Sequence, residues 1–239
     1  MTFGIIAGTG ALDLFERGEE RRVESVWGEP STNPCRVRVG GRDGWFLARH
    51  GRPHRIPPHR VNYRANIDVL RQLGVRRIVG VTAVGGLVDT LSAGSLVVPD
   101  QLIDYTWGRA HTFSDDAEHP LQHVEFGKPF SEPLRRALLE AGAAAGLDVV
   151  DGGCYAVTQG PRLETEAEVV RLARDGGTLV GMTAMPEAGL AREAGIDYAN
   201  LSVVANPAAG LSAVPISTED IEAVMAQAVK SVAALLGRL

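Results

Sequence analysis

The chain has 239 residues, 45% of them hydrophobic and 22% charged, which is the composition of an ordinary globular protein of about one large domain. A net charge of −5 with no run of Lys and Arg argues against nucleic acid as the main partner. Two cysteines, Cys35 and Cys154, lie too far apart in sequence to form a disulfide framework. No stretch approaches the ~18 apolar residues of a membrane span, and the N-terminus lacks a secretion signal, so a cytoplasmic protein without a membrane partner is expected.

Residues 3–7 form a short apolar run ending in Gly8-Thr9-Gly10, a buried strand and a tight turn. Strands are predicted at 23–27, 36–39 and 44–49. The segment HGRPHRIPPHR follows, and Pro57-Pro58 ends it. A helix is predicted to start near His59 or Arg60, with Tyr63, Ile67, Leu70 and Leu73 close to one face, and to close at Gly74. Residues 75–84 read as a strand ending in Gly85-Gly86, and 95–99 and 101–105 as strand-like. Residues 108–128 form a polar loop with three His and two adjacent Asp, longer than most connections in a compact domain. A helix at 132–145 is expected behind a Ser131 cap. A strand at 154–158, a helix at 164–175, a strand at 179–182, a helix at 186–194 and a strand at 196–205 follow. The last helix spans 218–236, capped by Ser217 or Thr218. This alternation predicts one α/β domain over 1–239, built on a central mixed sheet.

Open α/β sheets bind ligands outside the carboxyl ends of their strands. Gly8-Thr9-Gly10 offers backbone N–H groups and a hydroxyl, the makings of an anion nest. Arg49-His50 ends another strand, and the Arg fork suits phosphate. Thr82-Ala83 ends a third, and Thr183 follows a fourth. Each alone suits a cap or a turn, but four strand ends offer groups suited to an oxyanion. Asn206 ends the strand Val203-Val204-Ala205 with one amide donor and one carbonyl acceptor, a match for the edge of a heterocycle.

With these residues in view, the chain resembles the purine nucleoside phosphorylase/methylthioadenosine phosphorylase family. The motifs are GIIAGTG at 4–10, ARHGRPHRIPPHRVNYRANI at 48–67, VTAVGGL at 81–87, YAVTQGPRLETEAEV at 155–169 and GMTAMPEAGLAREAGIDYANLSVVAN at 181–206. They fall in the family's order along nearly the whole chain. The resemblance implies a nucleoside phosphorylase fold, a single α/β domain whose mixed sheet curls partly into a barrel between flanking helices. It implies phosphorolysis, with inorganic phosphate as co-substrate and no cofactor or metal. Thr9, Arg49, His50, Thr82, Ala83 and Thr183 would hold phosphate. Met182 would lie against the ribose, with Leu163 also at the substrate. A homotrimer is implied, in which His123 serves the neighbouring subunit's site. His54 would order the phosphate loop or approach the 5′ side.

Two positions bear on the purine. Adenine-cleaving members of the family carry two Asp where this chain has Asn206 and Ala208. An Asn can donate to a 6-oxo group and to N7. Glu164 resembles the Glu of 6-oxopurine enzymes, where a carboxylate accepts from N1–H; such polar matching can reject the wrong base by several kcal/mol. Glu164 also fits as an acid favoured at a helix N-terminus. On the sugar side, the inosine and guanosine enzymes place a His near the start of the last helix. This chain has Thr218 and Ile221 there, and an apolar pocket suits a methylthio group. The resemblance is thus to the subgroup acting on 5′-methylthio nucleosides of 6-oxopurines.

Inosine/guanosine phosphorolysis remains open through Thr218, and methylthioadenosine phosphorolysis through a water bridging Asn206. A non-catalytic purine-binding protein would have no evident need for a phosphate site. A metal hydrolase is suggested only by the spacing of His50, His54 and His59 and of His111, His119 and His123. Pro53, Pro57 and Pro58 break up the first set.

Overall fold

The computed structural model describes residues 2–8, 15, 17–115, 118–212 and 216–239. Within them, eleven strands form one mixed sheet: β1 Thr2–Ala7, β2 Arg17–Glu20, β3 Cys35–Val39, β4 Arg42–Ala48, β5 Val75–Gly86, β6 Leu96–Val98, β7 Gln101–Asp104, β8 Val149–Asp151, β9 Cys154–Val157, β10 Leu179–Gly181 and β11 Asp197–Pro207. Five α-helices accompany them: α1 Tyr63–Gln72, α2 Glu132–Ala144, α3 Glu166–Arg174, α4 Ala184–Glu193 and α5 Thr218–Leu236. The main path runs β2-β3-β4-β1-β5-β10-β9-β7, and β11, β6 and β8 branch from β5. The sheet curls around β5 without closing.

Alternating side chains on the central strands feed two cores, as a sheet buried on both faces requires. Ile5 and Val79 join α2 and α5 through Leu138, Met225 and Val232 on one face. Ile6 and Ile78 join α1 and α4 through Ile67, Leu70 and Leu190 on the other. Among the described residues no helix is long and apolar enough to cross a membrane.

Several local expectations are corrected. Residues 23–27 form no strand, whereas the polar segment Arg17–Glu20 does, as an edge strand paired with β3. Pro58–Arg60 is a single 3-10 turn, and α1 starts later, where the Asn62 side chain accepts from the Ala65 N–H. Ser131 occupies the cap position of α2, but its hydroxyl makes no capping bond and is buried without a partner among the described residues. Ser217, not Thr218, caps α5 by accepting from the Asp220 N–H. Residues 164 and 165 precede α3; Thr165 is its cap, in a reciprocal capping box with Glu168.

The strand β5 continues through Gly85 and Gly86 because pairing holds it on both edges. β11 runs along one edge, while β10 pairs antiparallel with its last two residues. A side chain on Gly86 would meet the Leu91 carbonyl oxygen at 2.8 Å, so glycine permits this close approach. On the other edge β1 stops at Ala7, opposite Val81, and β10 begins at Gly85. Thr82, Ala83 and Val84 are left between two departing strands, and the cleft opens there.

Candidate active site

The cleft has a volume of about 200 Å³. It is lined by Gly8, Arg49, His50, Thr82, Ala83 and Thr183, by Glu164 and Asn206, and by Met182, His54, Ile216 and Ile221. Leu163 lines it too, although it is half exposed. Most of the side chains singled out in the sequence therefore meet in one cavity. Thr9 lies outside the described residues. Thr218 is exposed and does not line the cleft; Ile216, which the sequence reading did not single out, does. His123 is exposed on its loop and does not line this cleft.

Arg49 is 1% exposed and departs from the picture of a free phosphate clamp. Its Nε and Nη2 donate to the two carboxylate oxygens of Glu187, each at 2.8 Å. Nη2 also donates to the Ile6 carbonyl at 3.1 Å and Nη1 to the Val81 carbonyl at 3.0 Å. The guanidinium thus plugs the splay between β1 and β5 and satisfies carbonyls where their ladder ends. Burial alone would lower its pKa, but the Glu187 charge more than offsets this and holds it raised. Four of its five N–H groups are engaged, which leaves one on Nη1. The Glu187 carboxylate, itself fully buried, also accepts from the Tyr198 hydroxyl at 2.8 Å.

His50 is held in one tautomer. Its Nδ1 lies 2.8 Å from the Ile56 carbonyl oxygen, which only accepts, so the proton sits on Nδ1. Nε2 is left as an acceptor facing Gly8; a side chain on Gly8 would meet it at 3.2 Å. Burial and then the Arg49 charge push the His50 pKa down to about 3, against the opposing bond to Ile56. The ring stacks on His54 with centroids 4.4 Å apart. Burial also lowers the His54 pKa, and the Glu222 charge opposes that shift.

The Thr82 hydroxyl lies 3.0 Å from Asn200 Oδ1 and 3.2 Å from Ser202 Oγ, so a buried polar network supports it from behind. Thr183 holds the cap position of α4 without a capping bond from its side chain. Glu164 Oε1 accepts from the Thr158 hydroxyl at 2.6 Å. The ladder between β11 and β5 shifts register between Val204 and Asn206, so Ala205 is an extra residue. Such a bulge re-aims the residues that follow it, and Ala205 and Asn206 both line the cleft. The Asn206 amide donates to the Pro207 carbonyl at 2.7 Å, which fixes its Nδ2 and leaves that nitrogen a second N–H. Among the described residues no group of three or more His, Cys, Asp or Glu side chains could hold a metal ion.

Sequence reading missed Arg109 and Glu187. Glu187 sits in a helix whose pattern reads as ordinary, and Arg109 lies in a loop noted for its His and Asp residues. Only their partners, 138 residues away for Glu187 and Arg49, mark them.

The phosphorylase superfamily profile matches residues 2–239. The chain is 49% identical over 213 residues to a probable S-methyl-5′-thioinosine phosphorylase of Xanthomonas campestris, covering 88% of this chain and 85% of that one. It is 40% identical over 227 residues to a 6-oxopurine nucleoside phosphorylase of Pyrococcus furiosus, covering 92% and 85%. A methylthioadenosine phosphorylase of Schistosoma mansoni in complex with adenine is similar in structure, with a TM-score of 0.94 at 32% identity over 100% of this chain and 90% of that one. The profile over nearly the whole chain, these identities and the shared fold show that the chain belongs to the phosphorylase superfamily.

Proposed function

We propose that this chain, acting as one nucleoside phosphorylase domain over residues 1–239, cleaves S-methyl-5′-thioinosine with phosphate to hypoxanthine and 5-methylthioribose 1-phosphate. The observation that carries the reading is the cleft itself. One cavity holds Glu164 and Asn206, the apolar Ile216 and Ile221, and the groups suited to an oxyanion. Relatives named for methylthioinosine and for 6-oxopurine nucleosides support the base assignment.

In the reaction a phosphate oxygen forms a bond to C1′ as the C1′–N9 bond breaks and its electron pair moves onto the purine. Glu164 accepts from N1–H, and the second Asn206 N–H donates to the 6-oxo or N7 edge as charge grows there. One such donor in a water-poor site is worth about 3 kcal/mol to the transition state. Phosphate lies against the Gly8 backbone, Thr82, Ala83, Thr183 and the remaining Arg49 N–H, with Thr9 joining them. Because Glu187 already balances the Arg49 charge, Arg49 orients phosphate more than it neutralises it. Neutral His50 accepts a hydrogen bond from a P–O–H group through Nε2, with no proton transferred. Met182 lies against the ribose. No cofactor enters these steps.

His123 of a neighbouring copy completes the sugar side in a homotrimer; its exposure and its absence from the lining of its own cleft support that role. The compartment is the reducing cytoplasm, where thiols such as Cys35 and Cys154 stay out of disulfides. Inosine is the second reading, favoured by one feature: His54 lines the cleft and could bond a 5′-hydroxyl.

Base release from methylthioinosine, inosine and methylthioadenosine, each with and without phosphate, tests the proposal. The expected result is phosphate-dependent hypoxanthine release, fastest from methylthioinosine. Fastest release from methylthioadenosine would overturn the Glu164/Asn206 assignment, and fastest release from inosine would overturn the apolar sugar pocket.

A further inference from the structure

The sheet splays twice around the cleft, and a buried arginine fills each splay. Arg49 fills the gap between β1 and β5. The second gap lies between β9 and β10. Their last shared bond runs from the Thr158 N–H to the Gly181 carbonyl at 2.8 Å. Beyond it the two chains part, one toward Gln159 and Glu164, the other toward Met182 and α4.

Arg109, 9% exposed, enters this gap from the long polar loop. Its Nη2 donates to the carbonyls of Gln159 at 2.8 Å and Thr158 at 3.3 Å. Its Nη1 donates to the carbonyls of Met182 at 2.8 Å and Met185 at 2.6 Å, with the Tyr63 hydroxyl at 3.3 Å. Nε donates to the Gln159 side-chain oxygen at 3.1 Å, which also accepts from the Trp107 N–H at 3.2 Å. None of these six oxygens belongs to a carboxylate. Arg49 by contrast faces a full negative charge.

The acceptors on one side belong to the turn that leads to Glu164, whose carboxylate the Thr158 hydroxyl holds. Those on the other side flank Thr183 and include the backbone of Met182. Met182 also packs over Gly160, whose φ is +61°; a side chain there would meet the Met182 sulfur. One planar cation therefore spans the base wall and the sugar wall. Five N–H donors in a rigid fork serve these six oxygens, with one Nη1 hydrogen shared, which an ammonium with three donors cannot do.

We propose that Arg109 is a positioning residue of the nucleoside site: its guanidinium sets the spacing between the Thr158–Gln159 backbone on the base side and the Met182–Met185 backbone on the sugar side, so that Glu164 and Met182 engage the same substrate. This rests on the assignment of the cleft as the nucleoside site, not on which nucleoside it prefers. The polar loop thereby has a function within its own subunit. The phosphate groups Gly8, His50, Thr82 and Ala83 lie on elements that Arg109 does not touch; only Thr183 is shared.

The test compares Arg109→Lys and Arg109→Ala with the unaltered enzyme, on whichever of the three nucleosides the latter cleaves fastest. KM for nucleoside, KM for phosphate, kcat and the thermal midpoint are measured together. A misplacement of about 1 Å can cost 10²-fold in rate. The expected result for Arg109→Lys is a fall of about 10²-fold in kcat/KM for the nucleoside, a phosphate KM within about 3-fold, and substantial recovery of Arg109→Ala by added guanidinium but not by methylammonium. Equal loss in both KM values, near-normal kcat/KM in a folded Arg109→Lys, or no response to guanidinium would overturn the proposal. Failure of both variants to fold would overturn it too, by making Arg109 a residue of the fold alone. Because the nucleoside is chosen by the enzyme's own activity, a wrong substrate assignment leaves this comparison intact.

Discussion

Arg49 and Glu187 form a buried ion pair, and its energetics can be tested by a double-mutant cycle. Arg49→Met leaves the fully buried Glu187 carboxylate with only the Tyr198 hydroxyl of the partners described above, and strips the Ile6 and Val81 carbonyls of their donor. Glu187→Leu leaves Arg49, 1% exposed, facing carbonyls alone. Breaking such a pair from one side costs about 3–5 kcal/mol, whereas replacing both charges by apolar groups is often close to neutral. For a chain of this size 1 kcal/mol corresponds to about 2–4 °C, so each single variant should lose roughly 6–20 °C in thermal midpoint. The double variant Arg49→Met/Glu187→Leu should recover most of that loss. Urea unfolding of the four proteins reads the coupling directly. The same scans with phosphate add a second readout, since ligand at 100 Kd stabilises by about 2.7 kcal/mol. The double variant should fold well but gain less from phosphate, because the remaining Arg49 N–H is gone. Additive losses in the double variant, or less than about 1 kcal/mol lost in either single one, would refute the internal neutralisation of Arg49.

Two further predictions follow from the base side and the phosphate end. Asn206→Asp replaces a donor by an acceptor and sets a carboxylate oxygen against the Pro207 carbonyl, now bonded at 2.7 Å. Activity on a 6-oxopurine nucleoside should fall about 10²–10³-fold while preference moves toward 6-aminopurines, and an unchanged ratio of methylthioinosine to methylthioadenosine turnover would show that this residue does not read the 6-position. His50 has a folded pKa of about 3, below its ordinary 6.5, so the unfolded chain binds the extra proton between those values. Stability from this group is complete above pH 6.5 and is lost as pH falls through that window, by at most about 1.4 kcal/mol per pH unit and roughly 5 kcal/mol in all. Urea midpoints of the unaltered protein and His50→Gln between pH 4.5 and 7.5 should converge as pH falls; a constant difference would mean that His50 does not carry the proton linkage.

The sequence determined the elements whose signal is local. Apolar runs marked β1, β5 and β11, helical spacing marked α1, and a Ser before a long periodic segment marked α5. Motif positions also named the chemical groups: an oxyanion-binding set, a carboxylate and an amide for a purine edge, and an apolar residue at Ile221. The tertiary structure decided what those groups face. That Arg49 spends its fork on Glu187, 138 residues on, is invisible to any local pattern. So is the stretch of Thr82, Ala83 and Val84, which pairs with β11 on one edge but has no partner strand on the other because β1 ends before β10 begins. The Ala205 bulge that brings Asn206 into the cleft is a matter of register against β5, and periodicity within one strand cannot reveal it. Arg17–Glu20 was missed because an exposed edge strand needs no apolar alternation, and 23–27 was misread because apolar spacing without a partner strand makes no sheet. Local sequence sets backbone preference and side-chain chemistry, while the charge balance and aim of a site depend on neighbours that only folding brings together.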